Sequence, residues 1–201
     1  MEIADTPWVL PSGQLPAAAT QSGDDVDLSS VRSPRQHLNQ DAHRRWKAST
    51  AVDFLNNVKH IDIPEVHTKE DRVVLYALEV NLSRPMSVPG HCPPFVVERR
   101  FSDFEDLRNS VWSAVSATPP CTCQYCLDLL VYIRFKVDQP RGLIKLTAGT
   151  EKRRRILVQF TSDLVAMGRR RAEKTGKREC QAQLAIPVLL EEFLVGVGKN
   201  G

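Results

Sequence analysis

The sequence predicts an α+β domain in which a three-stranded antiparallel β-meander packs against three to four helices. Three segments, 60–68, 72–82 and 94–101, are rich in β-branched and aromatic residues and are separated by turn-forming sequence. Apolar residues at helical spacing follow the third segment directly and recur in two later stretches. A chain of 201 residues is long enough for one such core and a tail.

The segment before the strands has the composition of a tail. Residues 1–45 are rich in Ser, Pro, Gln, Asp and Ala and lack strand or helical periodicity, so we predict a disordered N-terminal tail. The run from Trp8 to Leu10 in this tail is a candidate motif for docking a protein partner. The other predicted boundaries are a linker or short helix at 46–56, the folded domain at 57–197 and a C-terminal tail at 198–201.

The second strand shows the clearest alternation of apolar and polar residues. Its apolar residues lie at every second position between more polar neighbours, as expected of a sheet with one buried face. These residues are Val74, Tyr76, Leu78, Val80 and Leu82.

The third strand leads directly into a predicted helix. Ser102 followed by Glu105 matches a capping box, in which each side chain satisfies a backbone N–H group at the helix start. The apolar stripe of this helix is expected to lie against the sheet. Its members are Phe104, Leu107, Val111 and Val115.

Later segments supply the remaining helices. A Cys-rich insert at 119–133 contains a short helix, and residues 138–150 are expected to form an irregular loop. A long helix then runs from about Lys152 to Arg171, and the apolar segment 184–197 forms a closing helix over the same core. The apolar stripe of the long helix is Leu157, Phe160, Leu164 and Met167.

The junction between the third strand and the next helix carries the strongest functional signal. The net charge of +3 indicates no partner by itself, so the positions of the cations matter. Arg99 and Arg100 lie just before a helix N-terminus, where backbone N–H groups and the helix dipole favour anions, and a guanidinium holds a phosphate through two hydrogen bonds. The structural alternative is that Arg100 pairs with Glu98 or Asp103.

A second basic cluster, residues 152–155, occupies the first turn of the later long helix. Cations there oppose the helix dipole, and either a bound anion or solvation of the side chains reduces this cost. Arg153 precedes Leu157 by four residues and shares its face, so we expect Arg153 to face the domain. The other three cations of the cluster are expected to face water.

The loop between these two clusters carries an apolar pair. Leu143 and Ile144 lie between Arg141 and Lys145. Apolar tips that enter a bilayer and cations that approach anionic lipids together hold a domain on a membrane reversibly. We therefore predict that Leu143 and Ile144 insert into a membrane.

The order of these features resembles the phox-homology (PX) domain family. The resemblance covers about 57–197 and rests mainly on RRFSDF at 99–104, supported by RRRILVQF at 153–160 and by the closing apolar helix. It implies a PX-like fold that binds phosphoinositides, with phosphatidylinositol 3-phosphate as the expected lipid. It also implies recruitment to endosomal or other phosphoinositide-rich membranes.

The resemblance implies roles for individual residues. Arg100 would bind the 3-phosphate, Phe101 would stack on the inositol ring, and Arg153 would hold the ring hydroxyls. Arg141 or Lys145 would contact the 1-phosphate. The basic loop departs from the family pattern because it lacks a compact run of prolines followed by lysine. Phe101 is also suited to fasten the start of the helix in the core.

Three of the five cysteines form a C-x-C-x-x-C pattern at Cys121, Cys123 and Cys126. This spacing suits three thiolate ligands of a structural zinc ion, and free thiols on the buried face of a short helix are the alternative. The candidates for a fourth ligand are His91, Cys92 and Cys180.

Motifs for catalysis and for nucleic-acid binding are not found in the sequence. It has no nucleophile elbow, P-loop, HExxH motif or dinucleotide-binding fingerprint, so we expect no enzymatic activity. The basic clusters are not interleaved with aromatic residues, which argues against nucleic acid. No apolar run is long enough to span a membrane and the first residues lack a secretory signal, so we expect a peripheral, cytoplasmic protein. The alternative function is a PX-fold protein-interaction scaffold that does not bind lipid, with or without a stabilising zinc ion.

Overall fold

Three strands and six helices lie in the residues that the computed structural model describes, which are 34–83, 94–117, 121–171 and 179–196. This arrangement confirms the predicted α+β class. The strands are β1 (Val58–Thr68), β2 (Val74–Leu82) and β3 (Phe95–Arg100). The helices are α1 (Pro34–Asn57), α2 (Phe101–Val115), α3 (Gln124–Phe135), α4 (Gly142–Thr147), α5 (Thr150–Gly168) and α6 (Gln181–Val195).

The strands form one antiparallel sheet in the order β1-β2-β3, which confirms the predicted meander. The central strand β2 is buried on both faces, because Leu75 and Ala77 are covered as well as Tyr76 and Leu78. The sequence predicts only one buried face. Leu75 and Ala77 are themselves apolar and are covered, whereas Glu79 and Asn81, farther along the same face, remain partly exposed.

An aromatic cluster joins the sheet to the helices. The whole predicted stripe of α2 is buried, and Phe104 is its central member. The Phe104 ring packs edge-on against Tyr76 of β2 and Phe193 of α6, at centroid separations of 6.2 Å and 5.0 Å. Burying each such ring contributes about 1.5 to 3 kcal/mol. Phe104 therefore connects the central strand to the closing helix.

Helix α1 corrects the prediction of a disordered tail that extends to residue 45. It begins at Pro34, and the segment 46–56, predicted to be a linker or a short helix, is its second half. The buried residues of that half are mostly small, which is why the sequence shows no clear apolar stripe; they are Ala48, Ala51, Val52 and Leu55. Residues 1–33, including the run from Trp8 to Leu10, lie outside the described part of the chain.

The start of α2 differs by one or two residues from the prediction. Arg100 is the N-cap residue, and its backbone N–H group donates a 2.7 Å hydrogen bond to Oδ2 of Asp103. Asp103 therefore takes the capping role that the sequence assigns to Glu105. Burial of Phe101 in the core explains the earlier start, since it draws the first residue of the turn inward.

The segment predicted to be an irregular loop contains the short helix α4. A hydrogen bond of 2.8 Å from Thr147 Oγ1 to the carbonyl oxygen of Leu143 lies within it. None of the α4 residues is buried. A helical turn here, rather than a loop, changes which of its apolar side chains face solvent.

Candidate functional site

The two arginines at the end of β3 have different environments. Arg99 is half-buried, and its Nε and Nη2 atoms lie 3.0 Å and 2.5 Å from the carbonyl oxygen of Phe193. The same guanidinium lies over the Phe193 ring, 5.1 Å from its centroid. Burial lowers the pKa of Arg99, and the charge of Asp103 opposes that shift. Arg99 is therefore a structural residue that satisfies a carbonyl group at the C-terminal end of α6.

Arg100 is exposed and its guanidinium makes no hydrogen bond or ion pair to another described residue. Both carboxylates that the structural alternative proposes as its partners lie in the described residues. Glu98 is 3.9 Å from Lys69 instead, and Asp103 accepts its hydrogen bond from the Arg100 backbone. The Arg100 side chain is thus available at the N-terminus of α2, where an anion is electrostatically favoured.

Arg153 lies in the first turn of α5 and is half-buried, in agreement with the expectation that it faces the domain. Its Nε atom donates a 2.8 Å hydrogen bond to the carbonyl oxygen of Ala148. The neighbouring Arg154 was expected to face water, but it donates a 2.9 Å hydrogen bond to the carbonyl oxygen of Ile63 and is only partly exposed. Arg154 therefore fastens α5 to β1.

Tyr76 is a polar group of this region that sequence reasoning missed. Its side chain is fully buried, and its hydroxyl has no hydrogen-bond partner among the described residues. Burial raises the pKa of Tyr76, and the nearby positive charge of Arg153 opposes the rise. A ligand at the surface cannot reach a hydroxyl that is fully buried, so Tyr76 bears on a binding site only through the Arg153 guanidinium beside it. Its apolar ring makes it look like an ordinary core residue in the strand pattern.

The β2–β3 register relates these groups to one another. Arg100 is paired with Leu75 and Arg99 with Tyr76, so the side chains of Arg100 and Tyr76 leave adjacent rungs of the ladder toward opposite faces of the sheet. Tyr76 in turn lies beside Arg153, the residue at the start of α5. The register therefore places Arg99, rather than Arg100, on the face of the sheet that carries Tyr76.

Phe101 lies inside the core and is only 4% exposed. It follows the N-cap residue and belongs to the buried face of α2. In this position it fastens the start of the helix, which is the structural role considered for it from the sequence. Its ring is not presented to solvent.

Of the two candidates for the 1-phosphate, Arg141 is bonded within the protein and Lys145 is exposed. Arg99 and Arg100 differ from each other in the same way. The Nη2 atom of Arg141 lies 3.1 Å from the carbonyl oxygen of Ile133 and 3.2 Å from that of Lys136. Arg141 is therefore occupied at the C-terminal end of α3. Lys145 is exposed on α4.

The predicted membrane-insertion pair is divided by the helical turn of α4. Leu143 is 70% exposed, whereas Ile144 is partly buried against the core. Leu146, three residues after Leu143, is 85% exposed, and sequence reasoning missed it because it treated the segment as a loop. Phe135 and Val137 are 67% and 76% exposed.

These four side chains are the most exposed large apolar residues in the described part of the chain. They lie within 135–146, and Arg141 ties the segment together through its bonds to the end of α3. Arg134, Lys136 and Lys145 supply positive charge between them. Each described helix is too short or too polar to cross a bilayer.

Four cysteines, rather than three, come together at the N-terminal ends of α3 and α6. The sulfur atoms of Cys121, Cys123, Cys126 and Cys180 all lie within 4.8 Å of one another. Cys180 Sγ is 3.3 Å from Cys126 Sγ and 3.7 Å from Cys123 Sγ. Of the three candidates for a fourth ligand, Cys180 is the one that joins the cluster. His91 and Cys92 lie outside the described residues.

The dimensions of this four-cysteine cluster fit a tetrahedral metal ion. Zinc–sulfur bonds of about 2.3 Å place the sulfur atoms of a tetrahedron about 3.8 Å apart. The two separations above lie near that value, and no carboxylate belongs to the cluster. An all-thiolate set with this geometry is typical of structural zinc rather than of a catalytic metal with an open position.

Two helix N-termini stabilise negative charge on the cluster. Cys123 and Cys180 are the N-cap residues of α3 and α6. Burial acts to raise the pKa of Cys123, but hydrogen bonds from the Cys126 backbone N–H group and from neighbouring thiols lower it to about 7. Burial raises the pKa of Cys180, and the backbone N–H group of Gln183 opposes that rise. Burial and the neighbouring thiols raise the pKa of Cys126 well above its usual range, so the thiolate form is favoured before metal binds mainly at Cys123, a helix N-cap.

Comparison with known proteins found no relative of this chain. No protein-family model matches the chain, and no curated protein and no solved structure matches it at a significant level.

Proposed function

We propose that this chain is a PX-like module that binds phosphoinositides and attaches to membranes peripherally. Phosphatidylinositol 3-phosphate is the proposed lipid, and endosomal membrane is the proposed location. The observation that carries the proposal is the free, exposed guanidinium of Arg100 at the N-terminus of α2, next to an arginine that is occupied structurally. A charged, planar donor at a helix N-terminus suits a phosphate monoester.

A second set of groups supports binding of the inositol ring. Arg153 retains guanidinium donors beyond its bond to Ala148, and the partnerless hydroxyl of Tyr76 lies beside it. In the proposed complex, Arg100 holds the 3-phosphate, and Arg153, with the Tyr76 hydroxyl beside it, contacts ring hydroxyls. Lys145 is better placed than Arg141 for the 1-phosphate, because Arg141 already donates to backbone carbonyl groups.

Exposed apolar residues beside this region support attachment to a bilayer. Leu143 and Leu146 extend from α4, and Phe135 and Val137 lie in the segment that Arg141 joins to it. Each large apolar side chain that enters the hydrocarbon contributes about 1.5 to 3 kcal/mol, and each nearby cation adds about 1 kcal/mol at an anionic surface. The two contributions together are enough for reversible attachment.

Vesicle sedimentation tests this function. Phosphatidylcholine–phosphatidylserine vesicles are prepared with and without phosphatidylinositol 3-phosphate at about 0.15 M salt, where exposed charges are screened beyond about 8 Å. We expect the phosphoinositide to increase vesicle binding. Arg100→Gln should reduce this phosphoinositide-dependent increase about tenfold or more. Arg155→Gln is the matched control, since it removes the same charge from an exposed position on α5. Equal binding to both kinds of vesicle would contradict the proposal.

The second candidate function is a protein-interaction scaffold of the same fold without lipid binding. The observation that favours it is the four-cysteine cluster, which gives the chain a rigid junction between α3 and α6 that lipid binding does not require. Partner binding that survives Arg100→Glu and Arg153→Glu would support this candidate over the first.

With either function, we propose that the four-cysteine cluster holds one structural zinc ion. The proposal is supported by sulfur separations of 3.3 Å and 3.7 Å and by the two helix N-termini that favour thiolates. Zinc would join segments 54 residues apart in the chain, from Cys126 to Cys180. Such a link stabilises a small domain because the unfolded chain lacks a preformed site.

A further inference from the structure

The two halves of helix α1 are held to the domain in different ways. The second half contributes the buried residues that begin at Ala48, whereas residues 39–47 are all exposed. Side-chain hydrogen bonds from the exposed half reach another element at two places in the described residues. Arg44 Nη2 donates to Gln181 Oε1 at 2.8 Å, and Arg45 Nε donates to Glu179 Oε2 at 2.8 Å.

Both acceptors are direct neighbours of a cysteine in the cluster. Glu179 precedes Cys180 and Gln181 follows it. The two residues that bind α1 therefore flank the cysteine whose sulfur atom meets Cys126 of α3. Cys180 is also the N-cap residue of α6, at the end of that helix where backbone N–H groups lack intrahelical partners. The first turn of a helix is where fraying begins.

We infer that the metal ion proposed for the four-cysteine cluster keeps the first half of α1, residues 39–47, docked on the domain. The inference rests on that proposed zinc. Coordination bonds would fix Cys180 relative to α3 and thereby hold Glu179 and Gln181 where Arg45 and Arg44 reach them. Without metal, the sulfur atoms are joined only by weak thiol contacts, so Glu179 and Gln181 are held less firmly and their bonds to α1 open more often, while Ala182 keeps the rest of the first turn of α6 in the core.

The second half of α1 should not respond in the same way. Ala51 and Leu55 are fully buried, so apolar packing holds this half of the helix whether or not the polar bonds of Arg44 and Arg45 are present. Metal removal should therefore release α1 only as far as about Ala48. The expected change is modest, because two exposed polar pairs are lost: amide exchange in 39–47 should rise on the order of threefold to tenfold.

Hydrogen–deuterium exchange on the full chain tests this inference. Zinc-loaded protein, confirmed by elemental analysis, is compared with protein stripped by a chelator, and peptides from 39–47, 48–57 and β2 are followed. The double variant Arg44→Ala/Arg45→Ala should show faster amide exchange in 39–47 while retaining zinc. Removing zinc from this variant should raise exchange in that segment little further. Asp53→Ala is the matched control on the second half of α1 and should leave exchange in 39–47 unchanged.

The outcomes separate the inference from the metal proposal beneath it. A chain that takes up no zinc overturns the metal site itself. A chain that binds one zinc ion but shows the same exchange in 39–47 after stripping overturns the inference alone. Equal loss of protection in 39–47 and β2 also overturns it, because release would then be part of global unfolding. A rise confined to 39–47, reproduced by the double variant, supports it.

Discussion

Arg99 donates two hydrogen bonds to the carbonyl oxygen of Phe193 and covers the ring of the same residue, 94 positions later in the chain. Its neighbour Arg100 is exposed and makes no side-chain bond within the described residues. Gly196, the C-cap residue of α6, has a positive φ of 80°, and a Cβ at this position would lie 2.7 Å from a methyl group of Val97. The end of β3 and the end of α6 are thus closely fitted, and only the second arginine is left available for a ligand.

The two arginines should therefore separate stability from binding. Arg99→Gln leaves a carbonyl group at the end of α6 without its partner and should lower the free energy of unfolding by about 1 to 3 kcal/mol. Arg100→Gln should change it by less than about 0.5 kcal/mol, as is usual for an exposed residue. Urea unfolding of the two variants measures the difference. Similar losses in both would mean that Arg100 also has a structural role.

Tyr76→Phe should affect binding without reducing stability. The substitution removes a buried hydroxyl that has no partner in the described structure, so the free energy of unfolding should stay the same or rise by up to about 1 kcal/mol. Affinity for phosphatidylinositol 3-phosphate vesicles should fall about threefold to tenfold if the hydroxyl positions the Arg153 guanidinium.

Tyr132→Phe provides the comparison for Tyr76→Phe. The Tyr132 hydroxyl donates a 3.0 Å hydrogen bond to Asp163, so its removal should lower stability and leave vesicle affinity unchanged. Unchanged affinity after Tyr76→Phe would remove this residue from the proposed headgroup site.

Leu143→Ser/Leu146→Ser should weaken attachment to vesicles at least about tenfold, because two apolar side chains no longer enter the hydrocarbon. Thermal stability should be nearly unchanged, since both residues are exposed. Val96→Ser is the control, as Val96 is an exposed apolar residue of β3. Co-sedimentation at fixed lipid concentration gives the comparison. A double variant that binds as well as the wild type would place the membrane contact elsewhere.

Cys180→Ser should abolish stoichiometric zinc binding and lower the melting temperature, because it removes the ligand that connects α6 to the cysteines of α3. Cys92→Ser, at the fifth cysteine of the chain, should retain one zinc ion. Elemental analysis and thermal unfolding measure both effects. Wild-type protein without zinc, or Cys180→Ser protein that keeps it, would contradict the four-cysteine site.

The second strand and the face of α2 were predictable because their apolar residues recur at a regular period. Alternation of apolar and more polar residues predicted β2. Helical spacing of apolar residues from Phe104 to Val115 predicted the stripe of α2, which is buried throughout. Helix α1 was not predictable in this way, since its contacts use small residues such as Ala48 and Ala51. Periodicity measures side-chain hydrophobicity and responds weakly to alanine.

The candidate sites were only partly predictable because they depend on contacts between distant segments. Local sequence marks Cys121, Cys123 and Cys126 as a group, but only the tertiary structure selects Cys180 from the three candidates for a fourth ligand. Arg141 looks like a free cation in the sequence and is instead bonded to the end of α3. Contacts made in the folded structure determine which cations remain available to a ligand.

Titration of the isolated inositol 1,3-bisphosphate headgroup, followed by nuclear magnetic resonance at the guanidinium Nε–H groups of Arg100 and Arg153, tests the central claim most directly. If both arginines hold one phosphorylated ring, the two signals should shift along a single saturable curve with the same dissociation constant. A response from Arg100 alone, from Arg153 alone or from neither at high ligand concentration would contradict a shared headgroup site.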